Sequence, residues 1–241
     1  LSLVDVTERV QSARLGETLN AINTRVSARL DALSIQAAVL ELAGEALGAD
    51  GGLVVQRKRG RWRPTSVRNI PAGLESQDFS SEEFPVAELA LREDRPVFAS
   101  AGGKDGRSHP ASTERLGAAA LIAIPLRVTN VTRGCLYLTY GRHRQPSAIE
   151  IDFARKVGAV VSQALENARL LYDIQRVATT LQENLIHPLG AFPGLELGRV
   201  AQTAYQPELV GGDFSQVFSV GEDRVGILIG DVEGKGIRAA G

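Results

Sequence analysis

The sequence predicts an α/β protein of the α+β kind: an antiparallel sheet flanked by helices, a long coiled-coil-type helix at each end, and a second sheet starting near the C-terminus. Three observations predict this. Short apolar runs such as "GGLVVQ", "AAALIAIPLRV" and "GCLYLTYG" are bounded by turn residues, as strands are. Apolar residues at steps of three and four mark helices before and after those runs. The stretch "HPLGAFPGLELG", with two prolines and three glycines, then breaks the last helix ahead of two more strand-like runs.

Composition narrows the classes of function. The chain has 241 residues, 44% hydrophobic and 23% charged, with a net charge of -1. That is soluble globular composition with no basic excess for nucleic acid or a membrane surface. No apolar run approaches the roughly 18 residues of a membrane span. The opening "LSLVDVTERV" lacks a basic region ahead of an apolar core, so it is not a secretion signal. The single cysteine, Cys135, agrees with a reducing cytoplasm. There is no methionine at all, so the sequence is expected to be a piece of a longer polypeptide.

Residues 1–10 read as one strand running into a helix at Thr7. A lone strand needs a partner, supplied either by a preceding domain or by a later strand of this chain. In the helix that follows, Leu15, Leu19, Ile22, Val26, Leu30 and Leu33 form one stripe, with Glu8, Arg9, Arg14, Glu17 and Arg25 off it. Residues 11–33 are therefore expected to be a linker helix that meets a partner helix. A second apolar set, Ile35, Val39, Leu42 and Ala46, has a different phase and packs on a domain core. It ends at "LGADGG", where glycine signals a helix C-terminus.

The strands "GGLVVQ" and "RWRPTSV" are joined by "RKRG", with Gly60 available for positive φ. "FPVAELALRED" is a helix, "RPVFAS" a strand and "AGGKDGRSHPAS" a loop. Two apolar strands then meet at "TNVT". From Ser147 a long helix begins, with Ser147 as N-cap and Glu150 as its capping-box partner.

This order of elements, with "RPVFAS", "IAIPL", "GCLYL" and "ALENARLL" in place, resembles a GAF domain, spanning residues 34–170. The resemblance implies a small-ligand sensory domain, or one that dimerises. "DVTER" near the N-terminus is similar to the closing segment of a PAS domain. Cys135 lies in an apolar strand and reads as a core thiol. His109 and His143 have no metal-ligand companion at useful spacing. Haem or metal is therefore not expected in this domain, and its small ligand stays unidentified. The basic hairpin "QRKRGRWR" reads as a solvated rim, because phosphate binding needs a wider basic surface than one turn.

The long helix keeps a four-three rhythm through Val157, Val161, Ala164, Ala168 and Leu171, then through Ile174, Ala178, Leu181 and Leu185. The steps 168 to 171 to 174 form a stammer. A helix of roughly 40 residues is about 60 Å long and is expected to need a partner helix. Residues 171–187 thus read as the coiled-coil linker of a parallel homodimer.

In residues 188–241 two strands can pair across "GED", residues 221–223, which brings Asp213 and Asp231 toward one sheet end. Paired carboxylates with adjacent glycines suit hard divalent cations. The run from "LQENLIHPLG" through "VGGDFSQVF" to "IGDVEGKGIRAAG" resembles the start of a SpoIIE-like PPM-type serine/threonine phosphatase, of α/β/β/α fold. By this resemblance Asp213 and Asp231 match the family's catalytic metal-binding acids, and Val232 the residue that ligates through its carbonyl. It also implies two Mn²⁺ or Mg²⁺ ions and a phosphorylated anti-sigma-factor antagonist as substrate. The family's other metal acids are expected beyond Gly241, leaving this piece inactive. Ser215 and Gln216 depart from the family's aromatic-then-acid continuation, which lowers the negative charge beside the site. "GGDF" is also part of a diguanylate cyclase signature, but the second acid of that signature is missing. The alternative to an enzyme is a ligand-binding and dimerising module.

Overall fold

The computed structural model describes residues 7–29, 31–100, 113, 115–128, 132–185, 192, 194–198, 213–221 and 224–231. The chain divides into two compact units, Leu1–Arg169 and Leu170–Gly241. In the first unit the elements are α1 (Thr7–Ser27), α2 (Ala32–Ala46), β1 (Gly51–Lys58), β2 (Arg61–Arg68), α3 (Pro85–Glu93), β3 (Val97–Ser100), β4 (Ala120–Val128) and β5 (Thr132–Tyr140). Helix α4 (Ala148–Leu185) begins there. The five strands form one antiparallel sheet in the order β2-β1-β5-β4-β3.

Both faces of that sheet are covered, which explains why its central strands are apolar without a break. Ile122, Ile124, Leu136 and Leu138 face a core shared with Ile35 and Val39 of α2 and Val157 and Val161 of α4. Their neighbours Leu121, Ala123, Cys135 and Tyr137 face a second core with Trp62, Phe84 and Leu91. At Arg59 and Gly60, φ of 52° and 79° gives the two-residue turn between β1 and β2 its left-handed form. Pro64, which has no N–H, sits in β2 at the sheet edge.

One sequence expectation is corrected at the start of this unit. The stripe of α1 was expected to meet a partner helix, yet Leu15, Ile22 and Val26 are buried in the domain's own core, with Leu19 packed against it. The side chain of Asp31 accepts from the N–H of Ser34 at 2.8 Å and starts a new helix, so the stripe does not continue. Leu33 is accordingly exposed; Leu30 lies outside the described residues. In "LGADGG" only Gly48, at φ 61°, belongs to the end of α2. Gly51 and Gly52 open β1, where an added Cβ would lie 2.4 Å from the Asn69 carbonyl oxygen and 2.5 Å from that of Tyr137.

The start of α4 follows the sequence closely. Ser147 and Glu150 form the capping box: the N–H of Ser147 donates to Glu150 Oε2 at 2.8 Å, and that of Glu150 to Ser147 Oγ at 3.3 Å. Arg144 donates to Glu150 Oε1 at 2.5 Å and to the Leu47 carbonyl at 2.8 Å, and it lies over the Tyr140 ring. One side chain thereby joins the ends of α2 and β5 to the first turn of α4. Farther along, Val157, Val161, Ala164 and Ala168 are buried on the domain, so this half of the stripe needs no partner helix.

The second unit contains the remainder of α4 and the antiparallel pair β6 (Asp213–Ser219) and β7 (Val225–Asp231). Leu170, Leu171, Ile174 and Val177 of α4 are exposed. The side chains of Ala178, Leu181 and Leu185 lie outside the described residues, as do residues 1–6. The hairpin turns at Gly221 (φ 80°), closed by the Val220 N–H donating to the Arg224 carbonyl at 2.7 Å. Among the described residues no helix is long and apolar enough to cross a membrane.

Burial alone would raise the Glu150 carboxyl, but its hydrogen bonds from Arg144 and Ser147 outweigh burial and hold it below the usual glutamate range. Its contribution to stability is therefore present above the unfolded-state value and lost as pH falls through the folded one. Glu150→Gln is expected to cost about 1–2 kcal/mol at pH 7. Urea unfolding of both proteins should show the gap narrowing as the solution is acidified.

Candidate functional site

On the α3 side of the sheet the indole of Trp62 is fully buried, and its N–H donates to Glu88 Oε1 at 3.0 Å. The other oxygen of Glu88 accepts from Arg57 at 3.1 Å. Arg61 donates to the Asp78 carbonyl at 2.8 Å, and Arg63 makes a two-pronged contact with the Asp78 carboxylate at 2.6 and 2.8 Å. The hairpin expected to be a solvated rim is thus a rim in part only. Its tryptophan is core, and three of its arginines are bonded to Glu88 or Asp78.

Between this hairpin and α3 lies an aromatic cluster. The rings of Phe79 and Phe84 meet edge-on at 5.0 Å, and those of Phe84 and Tyr137 at 5.4 Å. Leu53, Leu74, Phe79, Phe84 and Leu116 line a cavity of about 10 Å³, the space of about one water. Glu83 and Arg115 complete the lining and form an ion pair, and the Arg115 guanidinium also lies over the Phe79 ring at 5.3 Å. The Ser80 N–H, and then Arg115, hold the Glu83 carboxyl below its usual range. The site is therefore an apolar, aromatic-walled cavity with one charged pair in its lining. At the volume of about one water it is far below the size of a small-molecule pocket, so these side chains pack on one another.

Two titratable groups lie within the same core. Burial pushes the Cys135 thiol up, against the reactivity of a nucleophile, as its strand position predicts. Burial likewise pushes the Tyr137 phenol well above its ordinary value, and its hydroxyl has no hydrogen bond of ordinary geometry. His143 meets Ser100, with Nδ1 and Oγ 2.9 Å apart. His109 lies outside the described residues.

In the second unit Asp213 and Asp231 are register partners, directly opposite each other where β6 begins and β7 ends. Their side chains, and all of Val232, lie outside the described residues. Sequence reasoning singled out these two acids and did not single out Glu83, Arg115 and Tyr137. The alternation of β5 could have placed Tyr137 on the face of Cys135. Nothing local marks the pairing of Glu83 with Arg115, which are 32 residues apart.

Because Cys135 is buried and its thiol is hard to ionise, a disulfide-exchange reagent should leave the native protein unlabelled at pH 8. Labelling should appear only with denaturant; rapid reaction of the folded protein would overturn this account of the core.

A family model described as GAF domain matches residues 31–165, more than half of the chain. No curated protein matches the sequence. Among solved structures, the photosensory core module of the Stigmatella aurantiaca phytochrome has a TM-score of 0.58 at 13% identity, covering 77% of this chain and 42% of that one. The GAF domain of a phosphoenolpyruvate-protein phosphotransferase from Coxiella burnetii gives 0.57 at 14%, covering 67% and 98%. Free methionine-R-sulfoxide reductase from Neisseria meningitidis, solved with its substrate, gives 0.55 at 15%, covering 70% and 96%. At these identities the likeness speaks for the fold: a five-stranded antiparallel sheet covered by helices on both faces. With the family model over residues 31–165, it identifies the chain as a member of the GAF domain family.

Proposed function

We propose that the chain is the sensory and dimerising region of a signalling protein, in which the GAF domain takes up a small ligand and α4 transmits the result. The observation that carries this reading is the change of surroundings along α4. The helix is continuous for 38 residues, and its apolar stripe is buried up to Ala168 and exposed from Leu170. The stammer in the heptad pattern falls at that same point, where two helical frames meet and registers are close in energy. A difference of a few kcal/mol between registers is enough for a ligand to shift a population. The exposed half is the proposed seam of a parallel homodimer. Placing charge at Ile174 and Leu181 should convert the protein to a monomer by light scattering; a double mutant that stays dimeric would exclude this seam.

Within that reading, residues 188–241 are proposed to begin a PPM-type serine/threonine phosphatase domain acting on a phosphorylated anti-sigma-factor antagonist, and residues 1–10 to close a PAS domain. The opposed register of Asp213 and Asp231 supports the phosphatase assignment, because it sets two acids side by side at one end of a sheet. Asp213, Asp231 and the Val232 carbonyl would hold the metal ions, which when bound activate a water for attack on the phosphoryl group. Ser215 and Gln216 add no charge to that end. The 241-residue chain is expected to show no phosphomonoester turnover with Mn²⁺ or Mg²⁺. In a protein carrying the complete domain, Asp213→Asn or Asp231→Asn should each lower the rate by orders of magnitude. Near-normal activity in either variant would refute the assignment.

A further inference from the structure

A groove of about 360 Å³ lies between α2 and the edge strand β2, on the sheet face opposite the aromatic cavity. Its volume is within the range of small-molecule sites. Ala37 and Leu40 of α2 give it an apolar wall, and Arg29, Ser66 and Arg68 bring polar groups to it. Glu41 is the one acid in the lining, and it is paired with Arg25 at 3.3 Å. Asp31, close enough to Arg29 to feel its charge, accepts from the Ser34 N–H. Arg68 differs from the other arginines described so far. Its Nη1 is buried and has no hydrogen-bond partner among the described residues, although a buried N–H is costly to leave unmade. It rests where Gly44 has no side chain: a Cβ there would lie 2.7 Å from Nη1. A glycine inside a helix forgoes helix propensity, and here the space it leaves is filled by a guanidinium.

We infer that this groove is a second binding site, for a small organic oxyanion: a carboxylate or phosphate group held by Arg68 and Arg29, with a short apolar body over Ala37 and Leu40. A guanidinium presents parallel N–H groups that match either oxyanion, and such charge-assisted pairs are the stronger hydrogen bonds. Nη1 is sealed in the space beside Gly44 and fixes the guanidinium there, so the remaining N–H groups of Arg68, on the lining of the groove, are the ones that meet an arriving oxygen. Ser66, beside Arg68 on β2, offers a hydroxyl within the same lining. The site is independent of the aromatic cavity, since the buried sheet lies between them.

The test is a titration of the 241-residue chain at constant ionic strength with inorganic phosphate, with acetate, and with chloride as control, following the arginine side-chain N–H resonances. Phosphate, acetate or both should move the Arg29 and Arg68 signals saturably, with a dissociation constant of about 1 mM or tighter, and chloride should not. Whichever anion saturates names the class of oxyanion. Arg29→Met and Arg68→Met should each weaken binding by at least about tenfold. Gly44→Ala should raise the melting temperature through helix propensity while displacing the guanidinium and weakening binding. That opposition of signs separates loss of the site from loss of the fold, and it holds even if Arg68→Met does not fold. The inference is overturned if neither anion saturates, if chloride has the same effect, or if binding is unchanged in Arg29→Met and Gly44→Ala.

Discussion

Strand β5 lies between β1 and β4 and is covered on both faces, and the rest of the domain is arranged around that constraint. A strand buried on both sides cannot alternate between apolar and polar residues, so "GCLYLTY" is apolar nearly throughout. Its backbone groups must then be paired within the sheet, because an unpaired buried amide is costly. Both neighbours are antiparallel and in continuous register with it. Close packing follows: at Gly51 and Gly52 the carbonyls of adjacent strands occupy the space of a side chain. The helices have no choice of face. α1, α2 and α4 cover one side, while α3 and the aromatic cluster cover the other.

The same helix, α4, serves as wall and as connector. Its first turn is tied down by the capping box and by Arg144, which bonds to Glu150 and to the carbonyl of Leu47 just past α2. Its next turns complete the core with Phe153, Val157 and Val161. Beyond Ala168 it keeps an apolar stripe that its own domain does not cover. The wall and the exposed turns are therefore parts of one continuous helix.

The two faces of the sheet differ in chemistry. The α3 side is aromatic, with its charged groups in pairs: Glu83 with Arg115, Glu88 with Arg57 and Trp62. Its cavity has room for about one water. On the α2 side Arg68 lines a groove of positive charge, its buried Nη1 unpaired among the described residues. The first environment favours burial of apolar surface, the second recognition of charge. One small domain can hold both because the sheet isolates them.

Local pattern in the sequence determined a good deal by itself. The capping box of Ser147 and Glu150, the positive φ of Gly60, the strands of the hairpin around Gly221 and the burial of Cys135 were all readable, because each depends on residues a few positions apart. The GAF assignment was also legible, since element order and turn residues specify it. What periodicity could not say was which object covers each stripe. Leu15, Ile22 and Val26 repeat as a coiled-coil seam does, yet α1 packs on its own domain, because a helix stripe carries the spacing of its contacts and not the identity of the partner. Trp62, Glu83, Arg115 and Tyr137 came together only in three dimensions, across separations of tens of residues. The orphaned donor of Arg68 beside Gly44 is likewise invisible in one dimension, for it is the distance between a helix and an edge strand that leaves a cation without an acceptor.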